Sequence, residues 1–304
     1  MNQLNSVDRK MTDILSESSF TISAEVIPPR NGSPQDEILN QIKSLVDAGA
    51  EFLSVTKGAG GSLRGGSLPI AQAIKEYFRK PVIAHFTCRD LSPEEVENQL
   101  MDHHYFGVRN ILALRGDPPQ GIVDWKPNPK SYPYAHQLIS QIKKLNQGVF
   151  FQREGFKNQS LQTDFCIGAA AYPDEESPEN RIQFFLDKFQ AGAQFGITQM
   201  AYDADSYSEF CNQLAKKNCN IPILVGTRLL KTQKQALNMI KRFQIKIPSW
   251  YLNQLPENED AQKSLELFIK LAQGFKKSGA PGIHVFVLSD TIGSSQAIRA
   301  LKET

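Results

Sequence analysis

Short apolar runs alternate along this chain with longer stretches in which apolar residues recur every three or four positions. The short runs predict strands over 21–27, 52–56, 82–87, 110–114, 164–171, 195–200, 221–225 and 282–288. The longer ones predict helices over 34–48, 68–78, 93–104, 134–145, 178–191, 206–217, 231–243 and 258–278, with a last helix over 294–302. Ser33-Pro34 and Ser92-Pro93 read as an N-cap followed by proline in the first helical turn. Gly49, Gly192 and Gly279 read as helix stops. The first two stops lead into matching strand starts, Ala-Gly-Ala-Glu-Phe and Ala-Gly-Ala-Gln-Phe, which points to a repeated βα unit. Eight strands alternating with helices, without a composition break, predict one β/α barrel (TIM barrel) over residues 1–304. A doubly wound open sheet is the alternative. It is disfavoured because no strand–GxGxxG–helix unit is present, and Gly58-Ala59-Gly60-Gly61-Ser62 has the wrong spacing. Residues 1–18 read as a polar N-terminal extension or helix, and 121–131 and 147–163 as irregular loops.

Charge and composition narrow the function classes. The 34 basic and 32 acidic residues nearly cancel, so nothing marks a nucleic-acid or anionic-membrane surface. No apolar run reaches membrane-span length, and the first 15 residues are polar and mixed in charge, unlike a secretory signal. The four cysteines form no CxxC pair and sit mostly in apolar segments, as free thiols of a cytoplasmic protein do. No His/Cys/carboxylate set has metal-ligand spacing, and no Gly-x-Ser-x-Gly elbow is present.

In a β/α barrel, ligands gather at the C-terminal strand ends. The fourth run, Asn110-Ile111-Leu112-Ala113-Leu114, ends in Arg115-Gly116-Asp117-Pro118-Pro119, a cation, a bare backbone and a carboxylate before two helix-breaking prolines. Glu25 stands inside the otherwise apolar first strand. Facing the barrel interior it would be desolvated and able to act as an acid near neutral pH, whereas on a wet face it would pair with Arg30. His85 is flanked by apolar residues and also fits a core position. Thr56-Lys57, Tyr172-Pro173-Asp174, Thr198-Gln199 and Ser289-Asp290 end other strands in hydrogen-bonding groups.

These motifs, in this order, resemble the methylenetetrahydrofolate reductase family over most of the chain. The resemblance rests on Glu25-Val26-Ile27-Pro28-Pro29-Arg30, Ser54-Val55-Thr56, His85-Phe86-Thr87-Cys88 and residues 110–119. It is extended by Ala170-Ala171-Tyr172-Pro173, Ile197-Thr198-Gln199, Ile247-Pro248-Ser249-Trp250 and Gly282-Ile283-His284. It implies a β/α barrel holding FAD, which NADH or NADPH reduces and which then reduces 5,10-methylenetetrahydrofolate to 5-methyltetrahydrofolate in a ping-pong cycle. A divergent homologue with another pterin or electron donor, and a flavin-free folate-binding subunit, are the alternatives. By matching position, Glu25 is the general acid and Asp117 the carboxylate between flavin and pterin. Gln199 and Gln235 match substrate-binding positions. Thr56, His85, Arg115, Gly116, Ala135, Tyr172 and Lys188 match flavin-contacting ones. Family barrels commonly assemble as homo-oligomers, and a partner subunit would supply any alternative electron donor.

Four departures from the family pattern bear on the ligands. Leu288-Ser289-Asp290 stands where the family often carries an arginine near the folate tail, and Arg228 is a candidate replacement. Asp187 lies beside Lys188, Met239 replaces a stacking aromatic residue, and Lys57 follows Thr56 where an aromatic residue often stands.

Overall fold

A computed structural model describes residues 6–62, 64–151, 161–174 and 177–304. Its eight strands are β1 (Thr21–Val26), β2 (Leu53–Val55), β3 (Val82–Thr87), β4 (Asn110–Leu114), β5 (Cys166–Ala171), β6 (Phe195–Thr198), β7 (Ile223–Thr227) and β8 (Gly282–Phe286). All pair in parallel with their sequence neighbours, and β8 closes onto β1. The expected β/α barrel is therefore the fold.

Strand alternation explains the two cores. Outward positions such as Ala24, Val26, Val55, Ala84, Ile111 and Val285 pack under the helices. Inward positions at the N-terminal end, including Phe52, Ile83, Leu112, Phe195 and Leu224, form a separate inner cluster. Glycines make room for rings inside the barrel. A Cβ on Gly168 would stand 2.4 Å from the Phe195 ring, and one on Gly226 would stand 2.3 Å from the Phe286 ring.

The helical layer comprises α2 (Asp36–Asp47), α3 (Ser67–Glu76), α4 (Pro93–Tyr105), α5 (Ala135–Asn146), α6 (Pro178–Ala191), α7 (Ala204–Ala215), α10 (Ala261–Lys277) and α11 (Thr291–Lys302). Between β7 and α10 the chain inserts α8 (Gln233–Phe243) and α9 (Ser249–Gln254), of which α9 has no counterpart among the expected helices. Ser92 caps α4 as its sequence indicates, with Glu95 completing the capping box. Ser33 does not cap α2. Its N–H donates to the Arg30 carbonyl in a tight turn (2.9 Å), and the helix starts later with Gln35 at its N-cap. Gly49, Gly192 and Gly279 all have positive φ, so the helix stops stand.

The N-terminal segment is a plug. Helix α1 (Met11–Glu17) places Met11, Ile14 and Leu15 on the inner barrel cluster. Asn110, at the start of β4, ties it down. Its Oδ1 accepts from Met11 N (2.7 Å), and its Nδ2 donates to the Arg9 and Val82 carbonyls and to Asp8 Oδ2. Residues 152–160, within the expected loop over 147–163, lie outside the described residues. No helix among the described residues is long and apolar enough to cross a membrane.

Candidate active site

With α1 sealing the N-terminal mouth, the C-terminal mouth opens into a cavity of about 980 Å³. Its floor is a polar chain built from inward positions two residues beyond the apolar cluster. Ser23 Oγ lies 2.8 Å from His284 Nδ1, and His284 Nε2 lies 2.9 Å from Ser54 Oγ. Ser54 Oγ lies 3.2 Å from His85 Nε2, which stands 3.6 Å from Glu25 Oε2. Burial pushes His85 and His284 down to about 3, so both imidazoles are neutral at pH 7. Burial also pushes the Glu25 carboxyl up to about 8. Glu25 is 7% exposed and lines the cavity, so it presents a neutral carboxylic acid to whatever enters. Its contact with His85 is accordingly not an ion pair, and an Arg30 pair is absent among the described residues.

The walls come from the strand ends. Arg115, Gly116 and Asp117 follow β4, and Arg89 donates to the Asp117 carbonyl. Gly116 has φ +95°, and a Cβ there would press on Arg89 and Thr87 at 3.0 and 3.2 Å. That is the position where only glycine brings backbone to the cavity surface without strain. Thr56 ends β2, and its buried hydroxyl has no hydrogen-bond partner among the described residues. Lys188 donates to the Ala170 carbonyl (2.8 Å) and sits 5.3 Å over the Tyr172 ring. Ala135 is the first residue of α5, so that helix N-terminus borders the cavity. Gln199 lines the wall beyond β6.

Ten of the eleven residues singled out in the sequence therefore meet in one cavity. Gln235 is the exception. Its side-chain oxygen accepts from Lys231 N (2.7 Å) and its own N–H donates to Thr232 Oγ1, which uses it to cap α8. Met239 is likewise buried in the outer core. Arg228 is buried, outside the cavity wall, and is not a replacement cation there. Asp290 pairs with Lys231 (2.8 Å) and caps α11 through Gly293 N, so its charge is taken up away from the cavity. Asp187 accepts from Gln183 within α6. Lys57 lines the cavity wall, but its ammonium donates to Gln99 Oε1 (2.7 Å) and lies 4.3 Å over Phe86, and burial pulls it down to about 8.

The sequence reading named Ser54 and His284 only within motifs, with no role, and did not mark Ser23, Arg242 or Phe243. The first three were legible as polar residues at alternate positions of β-runs, the period that turns side chains to one face. Arg242 and Phe243 carried no such signal, because helix periodicity alone does not say that α8 overlies the barrel mouth.

Two features decide what this cavity could hold. Among the described residues its wall carries six lysines and arginines but only two carboxylates, Glu25 and Asp117, and Glu25 is neutral. The unpartnered Thr56 hydroxyl and the positive end of α5 at the wall suit phosphate and heterocycle oxygens. Residues 10–302 match the methylenetetrahydrofolate reductase family model. The chain belongs to that family. It is 25% identical to the 5,10-methylenetetrahydrofolate reductase of Escherichia coli, over 95% of this chain and 92% of that protein. It is 28% identical to methylenetetrahydrofolate reductase 1 of Schizosaccharomyces pombe, over 90% of this chain but 44% of that protein. The chain thus spans about half the length of its eukaryotic relatives and nearly all of the bacterial one. Among solved structures, a Clostridium thermocellum protein described as binding two copies of 5-methyl-5,6,7,8-tetrahydrofolic acid aligns with TM-score 0.60 and 17% identity, over 97% of this chain and 99% of that one. At that identity the likeness speaks to the fold alone.

Proposed function

We propose that this chain is an FAD-dependent methylenetetrahydrofolate reductase, taking electrons from NADH or NADPH in a ping-pong cycle. The observation that carries the reading is the neutral, buried carboxylic acid of Glu25 on the floor of a cation-walled cavity. Family membership gives that acid a substrate.

The residues fit a flavin dinucleotide. Thr56 offers an unpartnered hydroxyl, Gly116 a bare backbone, Arg115 and Lys188 positive charge, and Ala135 a helix N-terminus suited to a diphosphate. His85 and Tyr172 complete that wall. When bound, FAD supplies a two-electron carrier that accepts hydride from a nicotinamide and delivers it to the folate methylene carbon.

The protein's own part is to move a proton and hold charge. Opening the five-membered ring of methylenetetrahydrofolate leaves a cationic iminium and requires a proton on the departing nitrogen. Glu25 holds that proton at pH 7 and is turned toward the cavity. His85, kept neutral beside it, does not repel the developing cation. The chain through Ser54, His284 and Ser23 fixes the His85 ring. Asp117 supplies the negative charge that stabilises the iminium, and Gln199 supplies an amide for the pterin edge or the nicotinamide.

Anaerobic single-turnover spectroscopy tests this. The purified protein should show a flavin absorbance band, lose it on adding NADH or NADPH, and regain it on adding methylenetetrahydrofolate. A colourless protein not restored by added FAD, or a reduced flavin that the folate does not reoxidise, would overturn the proposal.

A further inference from the structure

One sector of the cavity is organised differently from the rest. Between β6 and β8 the wall is lined by the polar Gln199, the apolar Met200, Phe286, Leu288 and Phe243, and Arg242. This sector thus combines a hydrogen-bonding amide, an apolar surface with two aromatic rings, and a single cation. Arg242 and Phe243 come from the last turn of α8, the helix inserted above the barrel mouth. That helix stops at Gln244, which takes the left-handed conformation (φ +52°) although it carries a side chain. Leu288 is also held left-handed, at φ +51°. Backbone in that region costs energy for a branched or long residue and persists where the surroundings require it.

Arg242 is free to bind an anion. Among the described residues it makes no ion pair, and its guanidinium lies 5.1 Å over the Phe243 ring. The neighbouring charges are already used, since Lys231 holds Asp290 and Arg228 is buried outside the wall. An exposed arginine at a helix C-terminus is also an ordinary helix-ending residue. Here it additionally borders the cavity, next to an aromatic face.

We infer that Arg242 is the specificity residue for the carboxylate end of the substrate, binding the glutamyl tail of the folate while Phe243, Phe286 and Leu288 pack on its aminobenzoyl ring. The inference rests on the folate reading above. The hydrogen-bonding head, flat aromatic middle and carboxylate end of such a ligand call for the three kinds of surface that this sector combines. A planar guanidinium binds a carboxylate in two parallel hydrogen bonds, which gives both affinity and orientation. The tail is thereby read from α8 rather than from the end of β8, where Asp290 stands.

Calorimetric titration of the purified holoenzyme tests this with two ligands, 5-methyltetrahydrofolate and 5-methyltetrahydropteroate, which lacks the glutamate. The wild type should prefer the folate, and Arg242→Gln should cut that preference at least tenfold, leaving pteroate affinity in place. Arg242→Lys should retain part of it, because a point charge replaces the fork. A preference unchanged in Arg242→Gln would overturn the inference, and so would an equal loss for both ligands, which would make Arg242 merely structural. If Arg242→Gln does not fold, the same ratio read on Arg242→Lys decides: a reduced ratio supports the inference and a wild-type ratio overturns it. In a parallel measurement of flavin reduction by NADH and NADPH, a loss confined to the donors would assign the arginine to a donor phosphate and overturn it too. Wild-type protein that binds neither folate nor pteroate would defeat the functional reading itself, a result distinct from all of these.

Discussion

The two ends of the barrel interior solve the same packing problem in opposite ways, and β2 shows both within five residues. Phe52, just before the strand, is fully buried in the apolar cluster under α1. Ser54, in mid-barrel, is buried with its hydroxyl placed between two histidines. Thr56, at the cavity, is buried with its hydroxyl unpartnered. At the bottom, even Asn110 has its amide oxygen and nitrogen both bonded. Stability dictates the lower arrangement, because a buried polar group without a partner costs free energy. At the top that cost is tolerated, and the groups that bear it, Glu25 and Thr56, are the ones a ligand would use.

The comparison breaks most sharply at Glu25. Replacing it by Gln should slow reoxidation of the reduced flavin by methylenetetrahydrofolate about 10³-fold, the usual size of general-acid catalysis. Reduction by the nicotinamide, which needs no such proton, should fall far less. Stopped-flow measurement of both half-reactions decides it, and an equal fall in the two would remove the acid role.

At the other end, Asn110→Ala should act on stability instead. It strips the partners from Met11 N and the Arg9 carbonyl and leaves the Asp8 carboxyl, which burial already pushes up to about 7, with one partner fewer. A loss of about 3 kcal/mol is expected from several buried hydrogen bonds. Urea unfolding measures it. A loss under about 1 kcal/mol would mean that α1 is not held as a plug.

That plug shows how far the chain could be read from its residues. Strand number, order and ends were legible because buried parallel strands are continuous apolar runs, whereas the helix residues Ala135 and Lys188 were marked only by the family resemblance. The plug was missed, since residues 1–18 read only as a polar extension or helix: the charged residues around Met11, Ile14 and Leu15 mask their helical spacing. The placement of α8 was not legible. Helical period is the same for a barrel helix and for one lying over the mouth, and only the presence of α10 behind it separates the two. The Ser33-Pro34 pair misled because a cap signal does not distinguish a helix start from the turn that precedes one.

A smaller effect sharpens the contrast from the stability side. The folded protein holds the Glu25 proton up to about pH 8, whereas the unfolded chain releases it near 4.5. Between those values the native state binds more protons, so this residue's contribution to stability falls as pH rises and levels off above about 8. Glu25→Gln lacks that slope and should become progressively more stable than wild type over the same window, by about 2 kcal/mol at pH 8 after allowance for relaxation around the charge. The histidines titrate in the opposite sense. With their values held down to about 3, their contribution is lost as pH falls below about 6.5, but it is common to both proteins and cancels in the difference. Thermal melts of the pair from pH 5 to pH 8 give the sign. A gap that shrinks with rising pH would show that Glu25 is ionised in the native state.

The smallest effect separates the two ends most cleanly. Thr56→Val keeps the shape of the side chain and removes the hydroxyl. For a residue serving the fold, as Asn110 does, losing the polar group leaves partners stranded. Thr56 has none to strand, so the cofactor-free protein should be unchanged or up to about 1 kcal/mol more stable. FAD affinity should fall about tenfold, the worth of one hydrogen bond inside a desolvated site. Both quantities come from one protein sample, by melting the apoprotein and titrating it with FAD. Destabilised apoprotein with unaltered FAD affinity would place Thr56 with the lower half of the barrel, among groups whose bonds hold the fold.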